Sequence, residues 1–152
     1  MLIQVAGRAG RAQRSGLVLL QTHHPQHPLL ATLLRGGYPA FAREELALRE
    51  AAGFPPYAHL ALLRAEAKPV EAPQAFLDAA REVLEVHGID LHGPLPAPMP
   101  RRAGFQRMQL LLSAPVRATL QRALDACVPA LYALPQARRV RWSLDVDPTE
   151  LY

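Results

Sequence analysis

Arg139-Val140-Arg141-Trp142-Ser143-Leu144-Asp145-Val146-Asp147 is the stretch whose reading decides the fold. Val140, Trp142, Leu144 and Val146 form one set; Arg139, Arg141, Ser143, Asp145 and Asp147 form the other. Successive side chains on a strand point to opposite faces, so this is a strand with one apolar and one wet face. Such strands belong to antiparallel sheets packed on one side only. Working back along the chain, Phe105 to Ser113 reads as another strand. Ser113 then serves as a helix cap, with Pro115 just inside a helix that runs to about Val128, where Pro129 kinks or stops it. Gln74 to His87 carries Phe76, Leu77, Ala80, Val83 and Leu84 at helical core spacing and ends at Gly88. Tyr57 to Ala65 is a strand, and Glu66 to Pro73 a turn-rich connector. Ile89 to Leu95 is a short strand interrupted by Gly93 and Pro94. Pro96, Pro98 and Pro100 then make a stiff, donor-poor loop leading to Arg101-Arg102-Ala103-Gly104. The order β-α-β-β-α-β closes most simply as a ferredoxin-like fold: a four-stranded antiparallel sheet covered on one face by two helices. The other face is left for nucleic acid or protein, although it lacks the aromatic stacking platform of an RRM-type module.

The front of the chain reads differently. Leu17-Val18-Leu19-Leu20-Gln21-Thr22 is short, apolar and bounded by turn residues, the pattern of a strand buried on both faces in a parallel sheet. One such strand makes no sheet, so the chain is expected to hold the tail end of a larger α/β domain. His23-His24-Pro25-Gln26-His27-Pro28 offers three histidines in a proline-held loop without a nearby carboxylate. That favours a polar connector over a metal site. Leu29, Leu30, Leu33 and Leu34 share a helix face that ends at Gly36-Gly37. Tyr38 to Ala52 is a second helix, with Phe41, Leu46 and Leu48 apolar, terminated by Gly53-Phe54-Pro55-Pro56. The expected domains are therefore residues 1–53 and 54–152.

Composition narrows the function. Half of the 152 residues are hydrophobic, enough for a core, and the formal charge is +4. No acidic residue precedes Glu44, whereas Arg8, Arg11, Arg14, Arg35 and Arg43 do, an electropositive front suited to an anionic partner. A single cysteine, Cys127, excludes an internal disulfide and any cysteine-based zinc site, and it reads as a buried core thiol. No apolar run approaches the ~18–20 residues that cross a bilayer. The apolar start is broken at Gly7-Arg8, too early for a signal peptide. The expectation is a cytoplasmic protein without a membrane partner.

Gln4-Val5-Ala6-Gly7-Arg8-Ala9-Gly10-Arg11 sets two arginines three apart, each after a glycine. Glycine permits close approach to an anion, and each guanidinium is a planar fork suited to phosphate. Read alone, the octet is either a phosphate-reading device or a basic turn before a strand. It resembles the last conserved motif of superfamily 2 helicases. The resemblance continues in order through His27-Pro28, Glu45-Leu46 with Arg49, Gly53-Phe54-Pro55-Pro56-Tyr57, Pro94-Leu95-Pro96-Ala97-Pro98 and Leu144-Asp145-Val146-Asp147-Pro148. Together these resemble the C-terminal part of the PriA family, bacterial primosomal replication-restart DNA helicases.

The resemblance implies the end of a RecA-like helicase lobe followed by the family's C-terminal domain. It implies a parent that couples ATP hydrolysis to 3′-to-5′ unwinding, recognises stalled forks and starts primosome assembly. ATP, Mg and zinc would be held by upstream motifs and cysteines. The sequence contains no Walker lysine motif, so none of these is expected to be held here, and the chain alone is expected to be inactive as an enzyme. By the same resemblance Gln4, Arg8 and Arg11 are catalytic, and Gly7, Arg8 and Arg11 contact nucleotide against upstream helicase lobes. Arg117 and Gln121 match the family's arginine–glutamine pair for the acidic tail of single-strand-binding protein; i, i+4 spacing puts them on one helix face, as it would for two ordinary surface residues.

Two arginine groups, Arg101, Arg102 and Arg107, and Arg138, Arg139 and Arg141, can touch DNA phosphates without reading sequence, or can blunt a sheet edge. Expected partners are branched or single-stranded DNA, the single-strand-binding protein tail and other primosome proteins. The rival readings are a non-catalytic adaptor that binds DNA or protein, and a ribosomal-protein-like RNA binder of the same topology.

Overall fold

The computed structural model describes residues 17–149. The chain divides into two units, one ending at Ala51 and the other starting at Ala52.

In the first unit, residues 17–22 form no strand, and Leu17 and Leu19 are exposed. The expected buried strand is therefore absent. An apolar strand buried on both faces needs neighbours to accept its hydrogen bonds, and no strand lies among this unit's described residues. The RecA-like lobe expected around it is likewise not seen among the described residues. Helix α1, Pro28–Ala51, is two helices joined at Gly37, whose φ of 65° breaks the helical path where the paired glycines stand. The histidine loop leads into it: the backbone N–H of Leu29 donates to His27 Nδ1 at 3.3 Å, and that of His24 to Thr22 Oγ1 at 3.1 Å. No residue of α1 is buried.

The second unit contains β1 His59–Ala67, α2 Glu71–Glu85, β2 Asp90–Arg102, β3 Phe105–Ala114, α3 Arg117–Ala133, a 3-10 turn at Pro135–Arg139, and β4 Arg141–Val146. The strands form one four-stranded sheet in the order β2-β3-β1-β4, every neighbour antiparallel. This is the split β-α-β arrangement expected from the element order. Its core is built by alternation. Ala61, Leu63 and Ala65 of β1 and Leu110, Leu112 and Ala114 of β3 meet Phe76, Leu77, Ala80 and Leu84 of α2 and Leu120, Ala123, Leu124, Cys127 and Leu131 of α3. Trp142 closes the far side, its ring 5.6 Å from Phe76 and 4.6 Å from Tyr132. Each large apolar side chain removed from water here contributes about 1.5–3 kcal/mol. Cys127 is buried, its Sγ 3.7 Å from the Val83 carbonyl, and burial pushes its thiol pKa up.

Four details depart from the sequence reading. First, α2 begins at Glu71, so the connector after β1 is short and Pro73 lies in the first helical turn, where a missing N–H costs nothing. Second, Pro96, Pro98 and Pro100 are strand rather than loop. β2 is an edge strand, where prolines are tolerated; Pro96 faces Met108, and Pro94, Pro98 and Pro100 fall within two register shifts. Third, Ser113 stays in β3 opposite Leu60, and α3 is entered through Val116 without a side-chain cap. Fourth, Pro129 neither ends nor replaces the last turn of α3, which runs on to Ala133 with Leu131 buried beneath it. Burial of Leu131 offsets the backbone bond lost at Pro129.

Candidate nucleic-acid interface

The helices cover the sheet face defined by Ala61, Leu63 and Ala65, so the intervening residues of β1 look the other way. Two of them are charged: Arg64 and Glu66. Register then decides their neighbours. Glu66 lies directly opposite Arg107 of β3 on one side and Arg141 of β4 on the other. Arg64 lies opposite Gln109 and Ser143. A single carboxylate on the central strand thus has an arginine at its cross-strand position on both sides, a favourable placement on an antiparallel sheet.

The side chains converge on a cleft of about 280 Å³ lined by Arg64, Glu66, Ala97, Arg107, Arg141 and Ser143. Arg107 Nε is 3.6 Å from Glu66 Oε2, and its Nη1 donates to the Met99 carbonyl at 3.5 Å. Arg64 Nη1 donates to Asp145 Oδ2 at 3.1 Å. Arg141 stacks instead on Phe105, its Cζ 4.9 Å from the ring centroid. Three guanidinium groups face two carboxylates, which leaves the cleft net cationic. It can therefore hold one anionic group.

The structure thus joins what the sequence had divided. Arg107 and Arg141, expected in separate groups, share one cleft across Glu66. Arg102 faces Phe105 across the hairpin and so lies on the same face, whereas Arg101, opposite Gln106, lies on the other. Arg139 ends the 3-10 turn, exposed, outside the cleft. Arg64 and Glu66 escaped the sequence reading, as did the role of Phe105. A signal existed: Arg64 and Glu66 are two apart at the end of an apolar run, which puts both on one face. Assigning Glu66 to a connector concealed it.

Arg117 opens α3 and Gln121 stands one turn on, both exposed. Each already meets a carboxylate of the chain: Arg117 Nη2 donates to Asp147 Oδ2 at 2.8 Å, and Gln121 Nε2 to Asp125 Oδ1 at 3.1 Å. Gln4, Gly7, Arg8 and Arg11 lie outside the described residues. Among the described residues no three His, Cys, Asp or Glu side chains gather as metal ligands, and no helix is long and apolar enough to cross a membrane.

Comparison with known proteins gives the site its context. The model of the family described as "Primosomal protein N C-terminal domain" matches residues 50–149. A protein named Replication restart protein PriA from Haemophilus influenzae is 46% identical over 99% of the chain. Proteins of the same name from Treponema pallidum and Synechocystis are 37% and 33% identical, also over 99% of the chain. The chain spans only 21%, 23% and 18%, respectively, of the lengths of these relatives. A de novo designed protein, Foldit4, superposes with a TM-score of 0.45 at 8% identity, covering 61% of the chain and 99% of that protein, too slight a likeness to bear on function. On the family match and these relatives together, the chain belongs to the PriA family of replication restart proteins, with residues 50–149 matching their C-terminal domain.

Proposed function

We propose that the chain is the DNA- and partner-contacting C-terminal part of an ATP-dependent, 3′-to-5′ replication-restart helicase that recognises stalled forks and starts primosome assembly. The observation that carries the DNA part is the cleft: Arg107 and Arg141 on either side of Glu66, with Arg64 behind them, on the sheet face the helices leave open. Guanidinium groups on a rigid sheet suit phosphates, and phosphate contacts carry no base readout, as a protein that binds branched DNA of any sequence requires. Arg102 extends the cationic surface on the same face, while Arg101 on the other face and Arg139 in the 3-10 turn would contact DNA outside the cleft. In this reading Gln4, Arg8 and Arg11, with Gly7 giving close approach, stabilise charge on a transferred phosphoryl group. ATP and Mg are held by upstream helicase lobes, and zinc by upstream cysteines. The chain by itself then acts as a non-catalytic adaptor.

The deciding experiment is DNA binding by fluorescence anisotropy over a salt series. Each phosphate contact on a single strand contributes about 0.7 to the slope of log K against log salt. Arg107→Ala and Arg141→Ala should each lower the slope by about that amount. Unchanged slopes in both would remove the DNA reading.

A second contact has its own support. Arg117 already holds a carboxylate, that of Asp147, so its position and orientation suit one. We assign Arg117 and Gln121 to the acidic C-terminal tail of single-strand-binding protein, Arg117 pairing with the terminal carboxylate. Arg117→Ala should weaken binding of an acidic peptide ending in Phe; equal affinity would defeat the assignment.

A further inference from the structure

We propose that Arg141 is a preorganised phosphate fork, held flat by Phe105, and that Glu66 tunes it; this deepens the DNA-binding reading above and rests on it. The three arginines of the cleft are not equivalent. Arg64 is tied to Asp145 at 3.1 Å, and Arg107 is shared between Glu66 and the Met99 carbonyl. Among the described residues no carboxylate pairs with Arg141. What fixes it is the Phe105 ring, 4.9 Å from its Cζ. Stacking occupies the face of a guanidinium and leaves the N–H groups in its plane free to donate. A cation restrained in this way loses less side-chain freedom on meeting an anion than a solvated one does.

Glu66 stands at the cross-strand position of both Arg107 and Arg141. Its carboxylate fills the place an incoming phosphate would take. It offsets the mutual repulsion of the guanidinium groups when the cleft is empty and competes with the ligand when it is not. The cleft, about 280 Å³, lies just under the usual range for small-molecule pockets, roughly 300–1,000 Å³. An open cleft of this kind, lined by guanidinium groups, suits a phosphate of a backbone that runs past it. The ligand is thus a phosphodiester of a nucleic-acid strand, whose chemistry is shared with free phosphate.

The test uses the full chain and a labelled single-stranded oligonucleotide. Arg141→Lys keeps the charge and removes the planar fork. Phe105→Leu keeps every charge and removes the ring. Both should lower affinity about two- to fivefold while leaving the salt slope intact. Glu66→Gln should raise affinity at low salt. Circular dichroism and melting of each variant separate misfolding from lost binding, and Arg141→Lys carries the test if Phe105→Leu does not fold. Native affinity in both Arg141→Lys and Phe105→Leu would overturn the fork, and unchanged affinity in Glu66→Gln would overturn the tuning. In either event a salt slope lowered in Arg141→Ala leaves the DNA reading standing; a slope unchanged in both Arg141→Ala and Arg107→Ala removes the DNA reading itself. Inorganic phosphate, compared with chloride at equal ionic strength, separates the two phosphate sources. Arg141-dependent binding of free phosphate without Arg141-dependent binding of DNA overturns the proposal.

Discussion

Residues 17–51 and the unit that starts at Ala52 draw on the same apolar alphabet and reach opposite ends. In the first, Leu19 is 86% exposed and Leu34 77%, and α1 buries nothing completely. In the second, Leu63, Phe76 and Leu110 are at 0%. Hydropathy does not explain the contrast, because both stretches are rich in leucine. The second unit supplies both partners of every contact, a sheet face and two helix faces that cover one another. The first supplies one side only. A pattern announces that a residue prefers burial; a second surface has to provide it.

Cutting the chain at this boundary is the severest way to break the comparison. Residues 52–152 alone should unfold in one cooperative calorimetric transition near the melting temperature of the whole chain, while a peptide of residues 17–51 should melt without a sigmoidal step. A broad, non-cooperative melt of 52–152 would mean that the first unit supports the second. Next comes Phe76→Ala, which empties the centre of the self-sufficient core and should cost about 3–5 kcal/mol in urea unfolding followed by Trp142 fluorescence. Leu34→Ala, on an exposed face, should cost under about 0.5 kcal/mol in the same measurement, and a larger loss would blur the contrast. Gly93→Ala tests the edge of the core. Gly93 has φ 114°, and a Cβ there would meet Leu95 N at 2.9 Å and the Gln109 carbonyl at 3.0 Å. A loss of about 1–3 kcal/mol is expected, and a neutral result would mean that β2 gives way locally. One further effect has the opposite sign. The β2–β3 hairpin turns through Ala103 and Gly104 at φ 49° and 79°. Asparagine tolerates the first of these better than alanine, so Ala103→Asn should raise stability by up to about 1 kcal/mol.

Much of the second unit was legible because its signals are local. Val140 to Val146 alternates, and Phe76, Leu77, Ala80 and Leu84 repeat at helical spacing; the structure needed only to pair them. At two places context overrode the proline rule. Pro96 to Pro100 sit on an edge strand that needs no outward donors, and Pro129 sits in a helix whose last turn is held down by Leu131. Leu17 to Thr22 failed for the opposite reason, a strand pattern without a sheet to join. The cleft was half legible. Its arginines stand out by composition, but Arg107 and Arg141 are thirty-four positions apart in the sequence. Only the register of β1 between β3 and β4 brings them to Glu66. Pairing between distant strands leaves no trace in a single sequence.

The run of prolines on β2 has a consequence for how copies of the domain can associate. Four of the seven residues from Pro94 to Pro100 lack an N–H, and β2 is one of the two borders of the sheet. The other border, β4, keeps its donors along a short strand. Two copies joined through β4 would each present the proline-blunted stretch of β2 outward, which opposes further growth of the sheet beyond a pair.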